Sequence, residues 1–324
     1  MTVRQTAVRE QLGDFAPAFA RINDDVLFGE VRSRTEALGL RDRSIVTVVS
    51  LVSQDLVDAS LEYHQPLGKD FHLTVRGNFT YARNRIMDQD EPDYAYTYMN
   101  RSGQMQYQKF GLVAVGLFQD QEDIDSWTKQ SFGEVKPGDI KYLDLNGDGI
   151  VDSYDTKPIG YSDIPEIVYG FGFSLQWKAF DLSAFFQGVA HVNFSTLTDQ
   201  TQAFVGRNLK ESSVFADLYG NTWTPENPGA KYPRMTTGAV DNNNQLSTFW
   251  MADGRYLRLK NLELGYTLPK RIANKIAMQN LRVYLSGVNL FTFSPFKLWD
   301  PDLQTGATNY PNNRIINIGL TIGF

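Results

Sequence analysis

FHLTVRGNFTY, residues 71–81, places Phe71, Leu73, Val75, Phe79 and Tyr81 on one side of an extended chain and His72, Thr74, Arg76, Asn78 and Thr80 on the other. That is period 2 over eleven residues, the pattern of a strand with one apolar and one polar face. IVYGFGFSLQW, residues 167–177, repeats it: Ile167, Tyr169, Phe171, Phe173, Leu175 and Trp177 alternate with small or polar residues, Val168 excepted. VDASLEYH (57–64) alternates too, as do Leu182–Phe194, Leu281–Phe293 and the closing Ile316, Ile318, Leu320, Ile322 and Phe324. Tyr256–Leu268 changes phase near Asn261, which predicts a bulge there.

Strand length separates a water-soluble sandwich from a membrane barrel. Spanning strands need about 9–11 residues, whereas soluble strands average about 5–6. The sequence predicts seven spanning strands: 56–65, 70–82, 165–178, 180–194, 255–268, 280–294 and 314–324. Short turns at 66–69, 178–181 and 269–279 then fall on one side. The long polar and aromatic connections 83–164, 195–254 and 295–313 fall on the other, the asymmetry of an outer-membrane barrel. Parity requires Tyr107–Phe118 to be loop structure. The fold class is therefore all-β, an antiparallel transmembrane β-barrel segment with long external loops. Seven strands do not close a barrel, and an open edge in lipid leaves backbone groups unpaired. Either Ile45–Val52 adds an eighth strand, or residues 56–324 are the C-terminal section of a larger barrel.

Composition narrows the function. The 324 residues hold no Cys and only His64, His72 and His191, which excludes disulfides, thiolate sites and a multi-His catalytic metal. A net charge of −6 gives no electrostatic case for nucleic acid. MTVRQTAVREQL, at the start, lacks the apolar core of a secretory signal. No nucleophile–base constellation is readable, so an enzyme is not expected. Asp90/Glu91 and Asp123/Asp125 read as solvated loop charge.

The sharpest local motif is DLNGDGIVDSYD, residues 144–155. Asp144, Asn146 and Asp148 occupy positions 1, 3 and 5 of a twelve-residue calcium loop, and Gly149 makes its turn. Ile150 offers a backbone carbonyl at position 7, and Asp152 and Asp155 sit at 9 and 12. The expected cofactor is Ca2+, in a loop without EF-hand helices. Trp223, Trp250, Trp299, Tyr94, Tyr96 and Tyr98 lie in the long connections, where packing is favoured over contact with a sugar. Phe324 is a candidate recognition signal for barrel insertion.

FGEVKPGDIKYLDLNGDGIVDSYDTKPIGYSDIPEIVYGFGFSLQWKAFDLSAFFQGV (132–189) resembles SusC/RagA-like TonB-dependent outer-membrane transporters. So do WTPENPGAKYPR (223–234), FWMADGRYLRLKNLELGYTLP (249–269), LRVYLSGVNLFTF (281–293) and NIGLTIGF (317–324), in the family's order. The resemblance implies a plugged barrel of about 22 strands that imports oligosaccharides or oligopeptides. It implies outer-membrane lipid, a SusD-like lipoprotein cap and the TonB complex, reached through a plug domain, as partners. That plug, the TonB box and the signal peptide should precede the matching region, and residues 1–55 match poorly, as a disordered or helical segment. The chain is therefore expected to be a truncated or frame-disturbed product, or a fragment, that does not transport alone. The competing readings are a small self-contained outer-membrane barrel and a soluble calcium-dependent carbohydrate-binding β protein.

Overall fold

A computed structural model describes residues 58–66, 70–198, 201, 215–273, 275, 278–306 and 309–323. The N-terminal segment 1–55, the candidate strand Ile45–Val52 and Phe324 lie outside the described residues.

The main element is a seven-stranded sheet whose spatial order is its chain order. The strands are β1 (Asp58–Pro66), β2 (Phe71–Tyr81), β3 (Ile167–Trp177), β4 (Phe180–Ala190), β5 (Tyr256–Thr267), β6 (Asn280–Phe293) and β7 (Ile315–Gly323). Every neighbouring pair is antiparallel. Each of the seven predicted strands has a counterpart in the sheet, though the one expected over 180–194 ends at Ala190, and the short connections share one side while the long ones share the other. The bulge also forms: Asn261 pairs with Phe185 and Leu259 with Phe186, which leaves Lys260 as the extra residue. The extra residue re-phases β5 so that apolar side chains stay on one face on either side of it.

The register lines the apolar residues up across the sheet. Leu73, Leu175, Leu182, Leu264, Leu285 and Ile318 form one continuous row over six strands. Next to the short turns, Phe71, Trp177, Phe180, Tyr266, Val283 and Leu320 form another. Its aromatic rings touch, with Trp177 and Phe180 centroids 6.3 Å apart and Phe180 and Tyr266 4.7 Å apart. Toward the long connections, Phe79, Tyr169, Gly188, Leu257 and Phe293 make a third row. Among the described residues no second layer covers this face: Leu264 is 49% exposed and Ile318 81%. A soluble sandwich packs such rows against a second sheet, so that reading is set aside.

The opposite face is polar. Thr74, Ser174, Ser183, Glu263, Ser286 and Asn317 align across it. Arg282 reaches from β6 to Asp181 on β4 and to Glu263 on β5, the latter at 2.6 Å. Gly265 stands between those partners. A Cβ there would come within 2.4 Å of the Arg282 guanidinium and the Asp181 carboxylate, so only glycine lets the pair close over the strand.

The long connections carry structure of their own. Residues 82–166 hold a short helix, α1 (Gln121–Ser126), capped by Asp120, whose side chain accepts from the Asp123 N–H. The same region holds pairings of two to four residues, too short to show any period in sequence. With residues 191–255 it encloses a core of Leu112, Leu117, Ile140, Tyr142, Val151, Leu218, Trp223, Tyr232 and Trp250. Residues 180–194 are not one strand. His191, at φ 52, breaks the run, and Asn193–Ser195 pairs with Met251–Asp253 in a separate small sheet. The helix α2 (Lys270–Ala273) fills the turn between β5 and β6.

Candidate functional site

The sheet presents two surfaces with opposite chemistry, and the folded connections sit at one end of it. Those connections are held by polar groups buried with their partners. Asp139 is fully buried and accepts two bonds from Arg234, at 2.8 and 3.2 Å, one from Asn243 Nδ2 at 2.8 Å and one from the Lys136 N–H at 2.8 Å. Beside it, Gln130 donates to the Ile140 carbonyl and to Asn242 and accepts from the Tyr142 N–H at 2.6 Å. Burial pushes the Tyr142 phenol well above its ordinary range, and its O–H donates to the Asn242 carbonyl at 2.9 Å. The third connection is tied down separately. Arg258, nearly fully buried on β5, donates to Asp300, to Asp302 at 3.0 Å and to Thr292 Oγ1 at 3.0 Å.

The predicted aromatic packing is present. Trp223 and Trp250 lie in the core of the connections. Trp299 stacks on Phe215 at 5.3 Å and meets Phe296 edge-on at 4.6 Å. Tyr96 and Tyr98 stack at 5.3 Å, and the Tyr98 O–H donates to the Tyr154 carbonyl at 2.7 Å, so this pair leans on the acidic loop. Burial, and then the nearby Asp155 carboxylate, raise the Tyr98 phenol above its ordinary value.

That loop is closed by its own side chains. Asp144 accepts from the Gly147 N–H at 2.7 Å and the Gly149 N–H at 3.0 Å. Asn146 Oδ1 accepts from the Asp148 N–H at 3.0 Å, and Asp148 Oδ1 from the Ile150 N–H at 2.9 Å. Asp152 caps the following turn by accepting from the Tyr154 N–H at 2.7 Å. Asp155 is fully buried and accepts from Leu145 at 2.6 Å, Asn146 at 3.2 Å and Asp152 at 2.8 Å. Position 12 therefore works as a clasp on the backbone. Asp144, Asn146 and Asp148 keep further lone pairs on the exposed side of the loop. Among the described residues, no three acidic or histidine side chains are gathered as a cation cage.

Sequence reasoning missed a different feature. A cavity of about 560 Å3 opens where residues 83–85 leave β2, lined by Arg83, Asn84, Arg85, Gln104, Gln108 and Tyr161 among others. Two arginines in RNR carry no periodic signal, and the connection that faces them begins some twenty residues later.

Comparison with known proteins gives a consistent result. No protein-family model matches the chain. TonB-dependent receptor P26 of Formosa agariphila is 33% identical over 227 residues, which is 66% of this chain and 22% of that protein. TonB-dependent receptor SusC of Bacteroides thetaiotaomicron is 25% identical over 274 residues, 79% of this chain and 25% of that protein. Among solved structures, that of the RagAB peptide transporter matches with a TM-score of 0.60 and 22% identity, over 82% of this chain and 29% of the matched chain. A structure of the RagAB peptide importer in a closed-closed state matches at 0.59 and 24% identity, over 82% and 29%. The chain spans about a quarter of the length of the curated relatives it matches.

Proposed function

We propose that this chain, a partial homologue of the SusC/RagA-like TonB-dependent receptors of the bacterial outer membrane, forms the C-terminal seven strands of a plugged barrel of about 22 strands. The observation that carries the reading is the uncovered apolar face with its two aromatic rows. From Phe71 to Phe79 is eight residues, about 27 Å at the rise of an antiparallel strand. At the usual tilt of about 40° that becomes roughly 20 Å, which fits inside an apolar band about 25 Å tall with aromatic girdles at its edges. The polar face then lines the lumen, and the folded connections form the external mouth.

In this reading the whole receptor imports oligosaccharides or oligopeptides. A SusD-like lipoprotein caps the mouth, and the TonB complex supplies energy through a plug domain. Peptide import is supported by the peptide-transporter structures with which the chain shares its fold, and saccharide import by the resemblance of its motifs. Among the described residues β1 and β7 pair with no further strand and are the edges of the sheet. The chain alone, reconstituted in liposomes, is expected to take up neither labelled oligosaccharide nor labelled oligopeptide. Uptake of either by the isolated chain overturns the reading.

Calcium at Asp144, Asn146, Asp148, the Ile150 carbonyl, Asp152 and Asp155 is part of the same proposal. It is supported by ligand spacing and by the lone pairs that the loop's own hydrogen bonds leave over. Calcium is expected to slow hydrogen exchange across 144–155. Asp144→Ala with Asp148→Ala is expected to abolish that slowing. A wild-type loop whose exchange ignores calcium removes the ion from the account.

A further inference from the structure

We propose that the external mouth carries a site for a carboxylate group on an imported oligomer, built by Arg83 and Arg85. The proposal rests on the import reading above and deepens it by naming the chemistry of the cargo. The cavity's volume of about 560 Å3 falls in the range of ligand clefts, roughly 300–1,000 Å3. Its lining holds two guanidinium groups and no Asp or Glu.

Each arginine makes one contact through the nitrogen nearest the side-chain stem, a hydrogen bond for Arg85 and an ion pair for Arg83. Arg85 Nε donates to the Gly103 carbonyl at 2.8 Å. Arg83 Nε lies 3.1 Å from Glu166 Oε1. Among the described residues no other hydrogen bond or ion pair engages either guanidinium, so the terminal amino groups are free to donate. A guanidinium fixed at one edge presents a planar fork of N–H groups that matches a carboxylate, and little side-chain freedom is left to lose on binding.

The remaining wall is set for the same purpose. Glu166 is 4% exposed and does not line the cavity, and its second oxygen lies 3.0 Å from His191 Nδ1. His191 stacks on Tyr161 with centroids 4.5 Å apart, which fixes that ring at the cavity wall. The Asn84 carbonyl oxygen accepts from the Gln106 N–H at 2.7 Å, which leaves its amide nitrogen as a further donor. Arg83 and Arg85 lie just past the end of β2 at Tyr81, on the side of the long connections, where cargo would enter.

The test uses the full chain in detergent and calorimetric titration with two matched pairs. One is trigalacturonate against its methyl ester; the other is a tripeptide with a free C-terminal carboxylate against its C-terminal amide. At least tenfold tighter binding of the acid is expected in one pair, and that pair identifies the source of the carboxylate. Arg83→Gln with Arg85→Gln is expected to abolish the preference while the neutral member binds as before. Should the double variant not fold, Arg85→Lys keeps the charge, loses the fork and is expected to weaken the acid at least threefold. Equal affinities within both pairs, no binding in either pair, or a preference that survives the substitutions overturns the site. Those outcomes leave the barrel reading standing, because liposome uptake and the lipid contact of the apolar face decide it independently.

Discussion

Leu264→Arg is expected to destabilise the membrane-inserted protein by ~1–2 kcal/mol, between the cost of a cation at the middle of a barrel's lipid face and its smaller cost near the interface. Leu264 lies in the row of five leucines and Ile318. That row is two residues from the aromatic row at the short turns and six from the outer one, and none of the described residues forms a layer over it. In hydrocarbon the introduced guanidinium has no partner, and its stem must bend toward the interface two residues away to reach water. Ser174→Arg on β3 is the control. Ser174 is one residue away from the same row but on the polar face, between Thr74 and Ser183, where water or lumenal groups solvate the charge. Quantitative immunoblotting of outer-membrane fractions is the measurement. Leu264→Arg should fall about tenfold below wild type and Ser174→Arg should stay near it, since about 1.4 kcal/mol corresponds to a factor of ten. Equal tolerance of both, or a greater loss for Ser174→Arg, would show that the apolar rows do not face lipid.

The contrast also explains which parts of the molecule were legible in the sequence. A spanning strand in contact with hydrocarbon must place an apolar side chain at every second position, so FHLTVRGNFTY and IVYGFGFSLQW declare both their conformation and their apolar face. The phase change near Asn261 was legible for the same reason, since it marks where strict alternation would have turned β5's side chains over. The split of 180–194 at His191 was not. The residues past the break still alternate, and what stops the strand is a left-handed residue and contacts to Tyr161 and Glu166, distant in sequence. The interior of the external connections was equally hidden. Asp139 and Arg234 are 95 residues apart, and Arg258 and Asp300 are 42 apart. An ion pair needs one residue of each kind, so nothing repeats. The acidic loop was legible as a loop, because Asp and Asn bonding to nearby backbone N–H groups is a local rule. The burial of Asp155 is a property of the surrounding fold and was not.

Arg234→Met is expected to cost about 3–5 kcal/mol, because it strands the Asp139 carboxylate where neither water nor another cation reaches it. Asp139 has no exposed surface, and Arg234 provides its only cationic partner among the described residues. Asn243 and the Lys136 N–H would still donate to it, but neutral donors do not replace a bidentate guanidinium. The loss should be local. The knot joins the segment around 136–139 to 223–234 and to Asn243, while the sheet does not depend on it. Limited proteolysis and hydrogen exchange should therefore show the connections opening around Ile140, Tyr142, Trp223 and Tyr232 while the strands stay protected. Asp139→Asn with Arg234→Met removes both charges and should recover much of the loss, since the penalty lies in the unpaired charge rather than in the missing bond. Gly138→Ala attacks the same knot without touching charge. Gly138 has φ +87, and a Cβ there would meet the Trp223 ring at 2.4 Å and Arg234 Cβ at 2.8 Å, so the indole and the arginine would both have to move. If Arg234→Met opens the connections and the double charge removal closes them again, the external body is held by this ion pair. If Arg234→Met leaves proteolysis unchanged, hydrophobic packing alone holds the body, and the pair is incidental to it.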